Sequence, residues 1–256
     1  MDLLTILMLF AAGIGGGILT GVIGGAALVT FPALLAAGLP PINAAACNLF
    51  SLIPANLVVV VTERALLPPA NRMLYGLLAA SALGSAIGAT LLVFTPGRTF
   101  EILVPLLLGF ATILLAFSPQ LSAWFRARSL RRGGVEPGLG ATSAPMLPIM
   151  VYGGYFGAGL GVMVLGVLSI ATRGDYRAAN VIKNVLIGIN TTVAAVVFTS
   201  GGIVYWGPAL CMMAGALFGG LIAGQLARVV PPAAMRVAVV AIGAVLTAVF
   251  AWRYWL

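Results

Sequence analysis

Apolar residues fill this chain in long continuous runs, separated by short polar or proline-containing segments. Four runs lie in each half, and most are about as long as a helix that crosses a bilayer. They lack the short alternating segments of a membrane β-barrel. The pattern predicts an all-α, polytopic membrane protein with apolar runs at 3–37, 42–62, 72–95, 99–118, 145–172, 176–200, 203–227 and 233–255.

The opening run of each half is unusual in length and glycine content. Residues 3–37 would measure ~50 Å as one straight helix, against a hydrocarbon core of ~30 Å. This run contains GIGGG and GVIGG, and the corresponding run of the second half contains YGGYFGAGLG. Glycines in these numbers favour a break. We therefore predict that each half opens with two shorter helices joined by a glycine-rich bend, followed by three further spanning helices.

The two halves also resemble each other at a separation of 133 to 135 residues. The chain is therefore predicted to be one integrated transmembrane domain, with repeats at 1–125 and 146–256 and a basic linker at 126–145. The matched positions keep their order: Gly21 with Gly154, Gly24 with Gly157, Asn56 with Asn190, Gly84 with Gly219, Pro96 with Pro231, and Gly109 with Gly243.

The arginines predict how the chain is oriented in the membrane. If each opening run crossed once, the arginines would divide seven against five, which is no bias. If each opening run enters and returns, ten fall on one side and only Arg98 and Arg253 oppose them. The second arrangement predicts inverted repeats, a cytoplasmic linker and both termini outside the cytoplasm. Whether each opening pair fully crosses or forms a re-entrant hairpin stays open.

Composition excludes several classes of function. The chain is 62% hydrophobic and 7% charged, whereas about a quarter of a soluble domain is charged. Its net charge of +8 then serves orientation in a bilayer rather than nucleic-acid binding. It has no histidine, the commonest metal ligand and general base. We expect no enzyme activity, metal or cofactor, and we expect the amino-terminal segment with Asp2 to be retained.

Acidic residues are scarce, and none lies in the middle of an apolar run. Cation transport is disfavoured for that reason, because it normally needs carboxylates within the membrane. Only Glu63 and Glu101, near the ends of runs, are candidates for proton coupling. The acidic residues are Asp2, Glu63, Glu101, Glu136 and Asp175.

The only lysine, Lys183, lies within an apolar run. Asn180, Asn184 and Thr191 share its helical face, and Asn190 borders that face. A polar stripe within a membrane must face protein or a water-filled cavity. One interpretation makes Lys183, Asn184 and Asn190 part of an anion site. The alternative is that Lys183 extends to the headgroups and the asparagines tie helices together.

The equivalent helix of the first half carries Asn48 and Ser51 on one face, followed by Pro54 and Asn56. Pro54 leaves a backbone carbonyl free, so these side chains could support a kink or line a site. The glycine bends offer a second kind of group, because a helix that begins within the membrane presents free N–H groups and a positive dipole end. Such ends are predicted at 20–25 and 157–161. The alternative is that the glycines only permit close packing.

Together these features predict an anion site near the midplane, between the two halves. Its candidate substrate-binding residues are Lys183, Asn184, Asn190, Asn48, Ser51, Thr20, Gly24, Gly25, Gly157 and Gly159.

The second half resembles the closing half of the TauE/SafE sulfite exporter family. The resemblance lies in Lys183-Asn184, Asn190, Phe198, Gly201, Trp206, a glycine-rich helix, Arg236 and Gly243. The first half is similar in its glycine run, its proline and an Ala/Asn-rich second helix. It departs from the family in Cys47-Asn48, where many members have Thr-Asn or Thr-Ser.

The resemblance implies a multi-pass transporter of sulfite, sulfonates such as sulfoacetate, or related small anions in the bacterial plasma membrane. Expected partners are the anion and the lipid bilayer, with no nucleic acid, and a homo-oligomer stays open. A different class is also considered: Cys211, Met212 and Met213 are soft ligands that could handle Cu(I). Successive helical residues point in different directions, however, which disfavours a shared metal.

Overall fold

The computed structural model describes residues 1–67, 71–131, 139–171, 176–229 and 231–255, and it confirms the predicted all-helical membrane class. Among these residues seven helices are long and apolar enough to cross a membrane, with α3 and α4 counted as one span. The helices are α1 (Leu3–Val22), α2 (Ala27–Ala36), α3 (Pro41–Ser51), α4 (Ile53–Thr62), α5 (Arg72–Phe94), α6 (Gly97–Ala116), α7 (Ser118–Arg131), α8 (Leu139–Tyr155), α9 (Leu160–Ala171), α10 (Tyr176–Ser200), α11 (Trp206–Val229) and α12 (Pro232–Trp255).

Both opening runs are broken, as the glycines predicted. In the first half α1 has 20 residues and α2 has 10, so they measure ~30 Å and ~15 Å. In the second half α8 has 17 residues and α9 has 12. The first member of each pair is therefore close to a full crossing in length, and the second covers about half of one. Within the predicted linker at 126–145, α7 ends and α8 begins, and 132–138 lie outside the described residues.

The two breaks have the same backbone hydrogen bonds. The carbonyl of Leu19 accepts from the amides of Ile23 and Gly24, at 2.9 and 2.7 Å. Tyr152 lies 133 residues after Leu19. Its carbonyl likewise accepts from the amides four and five residues later, those of Phe156 and Gly157, at 2.9 and 3.2 Å. Gly24 and Gly157 have φ of 80° and 74°, a left-handed conformation that favours glycine at this end of a helix.

Each opening helix packs mainly on a helix of the other half. The first opening helix, α1, packs mainly on α11, and its counterpart α8 packs mainly on α5. Glycines allow both contacts: Gly219 of α11 lies against the backbone of Ile14, and Gly84 of α5 lies against Leu147 and Met150. Gly84 and Gly219 are a matched pair in the sequence repeat. The interface of α5 with α8 therefore corresponds to the interface of α11 with α1. The last helices of the two halves, α6 and α12, also pack on each other.

Contacts between distant segments place both ends of the chain at one face of the bundle. The end of α5, the end of α10 and the starts of α3, α6 and α11 lie at this face with them. The contacts are Met1 with Gly207, Asn43 with Ile203, Val93 with Gly201, and Trp255 with Ile102. Its location outside the cytoplasm, and the inversion of the repeats across the membrane, stay predictions.

Two elements show how local chemistry shapes the bundle. The span at Pro41–Thr62 is divided at Leu52 into α3 and α4, because Pro54 lies in the first turn of α4 and has no amide hydrogen to continue the ladder. The helix α7 was not predicted from the hydropathy pattern, because its sequence mixes apolar residues with arginines. It packs against α9.

Candidate functional site

The two helix breaks meet at the centre of the contact between the halves. A Cβ added to Gly24 would lie 3.1 Å from the Cα of Gly161, and one added to Gly161 would lie 3.0 Å from the Cα of Gly24. The first turns of α2 and α9 begin beside this contact, at Ala27 and Leu160. The amino-terminal ends of these two short helices therefore reach the same small volume from opposite halves.

A cavity of about 40 Å³ lies at this junction. At ~10–15 Å³ for each water it has room for about three or four water molecules. Both halves contribute to its wall, which includes the first turn of α2, the first turn of α9, and side chains of α3, α4 and α10. The lining residues are Thr20, Gly24, Ala26, Ala27, Asn48, Leu49, Leu52, Asn56, Gly157, Leu160, Gly161, Lys183, Ile187 and Thr191.

Lys183 is buried at the wall of this cavity, with only 1% of its surface exposed. Its ammonium donates to the carbonyl of Thr20 at 3.3 Å and to Oδ1 of Asn180 at 2.9 Å. Both partners are neutral, and no salt bridge of Lys183 is present among the described residues. The side chain crosses to the other half of the protein instead of extending toward the headgroups, so the snorkelling alternative does not describe this geometry.

The position of Thr20 adds an electrostatic feature that the sequence did not reveal. Its carbonyl is among the last four of α1, which have no amide partner within the helix. The carboxyl end of a helix carries partial negative charge, so Lys183 lies at the negative end of α1. The cavity is thus bordered by the amino-terminal ends of α2 and α9, the carboxyl-terminal ends of α1 and α8, and one ammonium.

Three further polar side chains line the cavity. Asn48 accepts a hydrogen bond at Oδ1 from the hydroxyl of Thr30. Thr191 donates within its own helix, to the carbonyls of Ile187 or Gly188. Asn56 donates from Nδ2 to the carbonyl of Leu52 at 3.0 Å, and its buried Oδ1 has no partner among the described residues.

Half of the candidate residues line the cavity and the other half lie outside it. Thr20, Gly24, Asn48, Gly157 and Lys183 belong to its wall. The candidate list omitted two further lining residues, Asn56 and Thr191, although the sequence offered Asn56 as a possible lining residue and placed Thr191 on the face of Lys183. The candidates that lie elsewhere are Gly25, Ser51, Gly159, Asn184 and Asn190.

Four of these outer candidates serve packing between helices. Gly25 lies against Leu115, and Gly159 lies against Ala111, so both bends abut α6. The hydroxyl of Ser51 is shared between the Cys47 carbonyl of its own helix, at 2.6 Å, and the Ala209 carbonyl of α11, at 2.9 Å. Asn190 donates to the carbonyl of Met150 in α8 at 2.9 Å.

Asn184 lies in a different recess, between α4 and α10. This open and mainly apolar groove measures about 360 Å³ and includes Leu57, Val60, Gly188 and Val193. The Nδ2 of Asn184 donates to the carbonyl of Asn180 at 2.8 Å, while its buried Oδ1 has no partner among the described residues. The groove and the cavity lie on different sides of α10.

Two of the soft side chains of α11, those of Cys211 and Met212, have different surroundings. Cys211 is partly exposed and its Sγ donates to the carbonyl of Ile6 at 3.3 Å. Met212 is fully buried beside Gly13 of α1. Nothing among the described residues favours the copper-handling alternative.

A multi-pass helical bundle with two broken opening helices, whose half-length members meet at a small polar cavity, has the architecture of a membrane transporter. The profile of the family named "Sulfite exporter TauE/SafE" matches residues 9–250, which is nearly the whole chain. The chain therefore belongs to this family, as the resemblance predicted.

Curated relatives carry transporter names as well. The chain is 27% identical over 252 residues to a "Probable membrane transporter protein" of Haemophilus influenzae (strain ATCC 51907 / DSM 11121 / KW20 / Rd), covering 97% of this chain and 94% of the relative. It is 28% identical over 233 residues to "Probable membrane transporter protein ORF9" of Sinorhizobium sp, covering 86% and 82%. No solved structure matches the chain.

Proposed function

We propose that this protein carries small sulfur oxyanions, with sulfite as the main candidate and sulfonates as related ones, out of the cell across the bacterial plasma membrane. Membership of the family supports transport as the activity. The cavity between the halves is the proposed binding site. The observation that carries the proposal is the meeting of Lys183 with the first turns of α2 and α9 at one cavity.

The electrostatics of the cavity favour an anion. Helix amino termini and an ammonium both attract negative charge, and the effect is stronger where water is excluded. Among the residues that line the cavity, none carries a carboxylate. A buried ammonium with neutral partners costs a few kcal/mol within a membrane. A bound anion offsets that cost, so the site is expected to attract one.

The ammonium of Lys183 links the two halves and still has a proton to offer a ligand. It joins α10 of the second half to the end of α1 in the first half. Two of its three protons are directed to Thr20 and Asn180, so the third is available to an anion in the cavity. An anion bound there shares the ammonium with the neutral Thr20 carbonyl, so occupancy of the site can bias the link that relative movement of the two repeats must break.

Size favours small anions in the conformation described here. The cavity holds about three or four water-sized groups, and sulfite has four non-hydrogen atoms. A sulfonate with a longer organic part would require the halves to separate further. The outward direction is favoured by the membrane potential, which contributes ~2.3 kcal/mol per charge for each ~100 mV when an anion leaves a negative interior.

A flux assay tests the proposal. Purified protein in liposomes loaded with sulfite should release sulfite faster than protein-free liposomes, and an inside-negative potassium diffusion potential should increase the rate. Sodium release should be unchanged. Sulfite release equal to that of protein-free liposomes would contradict the proposal. Reporter fusions after Leu256 and within the linker test sidedness, and a cytoplasmic carboxyl terminus would contradict the predicted orientation.

A further inference from the structure

Asn56 is a lining residue of the cavity and carries an unpaired hydrogen-bond acceptor. The residue is 1% exposed, and its Nδ2 donates to the carbonyl of Leu52, one turn earlier in the chain. Its Oδ1 is buried without a partner among the described residues. The orientation of this amide follows from the chemistry of its neighbour: exchanging the two atoms would bring Oδ1 against the oxygen of Leu52, and both atoms can only accept.

The groups around Asn56 have the opposite character. Lys183 can only donate, and the first turns of α2 and α9 present backbone N–H groups. The hydroxyl proton of Thr191 is directed to carbonyls of its own helix. A ligand that fills the cavity therefore meets donors near its negative charge and an obligate acceptor at Asn56.

An unpaired acceptor discriminates between ligands when water leaves the site. A water molecule admitted beside Asn56 when no anion is bound can donate to its Oδ1. An anion that displaces this water and has no hydrogen to donate leaves the oxygen desolvated and unpaired, which weakens binding. An anion with an N–H or O–H group restores the lost hydrogen bond.

We propose that Asn56 makes the site selective for monoanions that carry a hydrogen-bond donor beside the anionic group. This inference rests on the proposed function, because it describes the ligand of the same cavity. Among the oxyanions of sulfur(IV), hydrogensulfite in its hydroxyl form meets the requirement and the sulfite dianion does not. Asn56 is then a specificity-determining residue, while Lys183 and the helix ends supply the attraction for charge.

Sulfamate and methanesulfonate form a matched pair of probes. Both are tetrahedral monoanions with five non-hydrogen atoms, and they differ in an amino group against a methyl group. Each is titrated against the purified full-length protein, with the dissociation constant taken from thermal stabilisation and from inhibition of sulfite flux in liposomes. We expect sulfamate to bind about tenfold more tightly than methanesulfonate, the scale for leaving one buried acceptor unpaired.

The Asn56→Leu variant should bring the two dissociation constants within about twofold, mainly by weakening sulfamate. Asn56→Ala carries the same expectation and replaces it if the leucine variant does not fold. The control is Asn190→Leu. Asn190 is the repeat partner of Asn56 and also has an unpaired Oδ1, but it lies outside the cavity, so this variant should retain the preference for sulfamate.

The outcomes separate this inference from the proposed function. Equal binding of the two probes to a wild-type protein that transports sulfite overturns the inference alone. A preference that persists in the Asn56 variants overturns the role of Asn56. Absence of sulfite transport together with absence of binding by either probe overturns the proposed function and this inference with it.

Discussion

The two halves place different side chains at one equivalent position. Lys183 of α10 and Leu49 of α3 are 134 residues apart, the same spacing that relates Asn56 to Asn190. Each reaches the helix break of the opposite half. The ammonium of Lys183 donates to the Thr20 carbonyl. The side chain of Leu49 packs on Gly157, and a Cβ added to Gly157 would lie 2.6 Å from Cδ2 of Leu49. The backbone frame is repeated, but the charge is not.

This difference separates the requirements of the fold from those of the site. The breaks depend on hydrogen bonds and glycine conformations that both halves repeat, and each half supplies one helix amino terminus to the cavity. A second lysine in place of Leu49 would add another buried charge at a cost of a few kcal/mol. One ammonium is balanced by one negative charge, which suits a monoanion.

Replacing Lys183 with leucine makes the second half like the first, and it should have the largest effect on function. Hydrogen bonds to charged groups contribute ~1.5–3 kcal/mol, so we expect sulfite to bind about 100-fold more weakly. The protein should still insert and fold, because Lys183 has only neutral partners. Sulfite flux and the thermal unfolding midpoint, at matched expression, measure the two effects separately.

Two variants control for this result. Lys183→Arg retains the charge but replaces a compact ammonium with a planar fork, so binding should persist with altered anion selectivity. Leu49→Ala changes packing at the equivalent position without changing charge, and it should weaken sulfite binding much less than Lys183→Leu. Normal sulfite flux in Lys183→Leu would remove the lysine from the proposed site.

Alanine at Gly219 or Gly84 tests whether the α1–α11 and α5–α8 interfaces are equivalent, as the sequence repeat predicts. A Cβ on Gly219 would meet the backbone of Ile14, and one on Gly84 would lie 2.9 Å from the carbonyl oxygen of Leu147. Overpacking of this kind costs ~1–3 kcal/mol, so both variants should lower the unfolding midpoint in detergent.

Gly224 is the matched control on α11. A Cβ there has nothing within 4 Å, so Gly224→Ala should be neutral or stabilising by up to ~1 kcal/mol. If Gly84→Ala proved as harmless as Gly224→Ala, the contact between α5 and α8 would not be equivalent to that between α1 and α11.

The sequence was sufficient to predict features that depend on neighbouring residues or on hydropathy. These include the spans and the breaks at Gly24 and Gly157, and a kink near Pro54 was one of the alternatives considered. It also predicted that Lys183 would lie between the halves. The helix α7 was missed because its arginines interrupt the apolar pattern on which the spans were based.

The side chains of the site were harder to predict, for a geometric reason. Successive residues of an α-helix differ by about 100° in direction, so Lys183 and Asn184 cannot both face a cavity of 40 Å³. Lys183 faces the cavity and Asn184 faces the groove beside α4. Asn190 lies two turns beyond Lys183, about 10 Å along the helix axis, where α8 rather than the cavity is its neighbour.

The smallest expected effect concerns Ser51 and Ser85, two side chains of the first half that donate hydrogen bonds to the second half. The hydroxyl of Ser51 in α3 is shared between the Ala209 carbonyl of α11 and the Cys47 carbonyl of its own helix, and Ser85 of α5 donates to the Asn190 carbonyl of α10. Hydrogen bonds of this kind average ~0.6 kcal/mol within membranes, so Ser51→Ala and Ser85→Ala should each lower the free energy of unfolding by about that amount. Because the two bonds share no partner, the double variant should show the sum of the two losses.

Sulfite flux should stay within about twofold of wild type, since neither serine lines the cavity. Loss of sulfite binding in Ser51→Ala at unchanged stability would instead place Ser51 in the site, as the sequence had suggested, and the polar chemistry would then be shared by both halves.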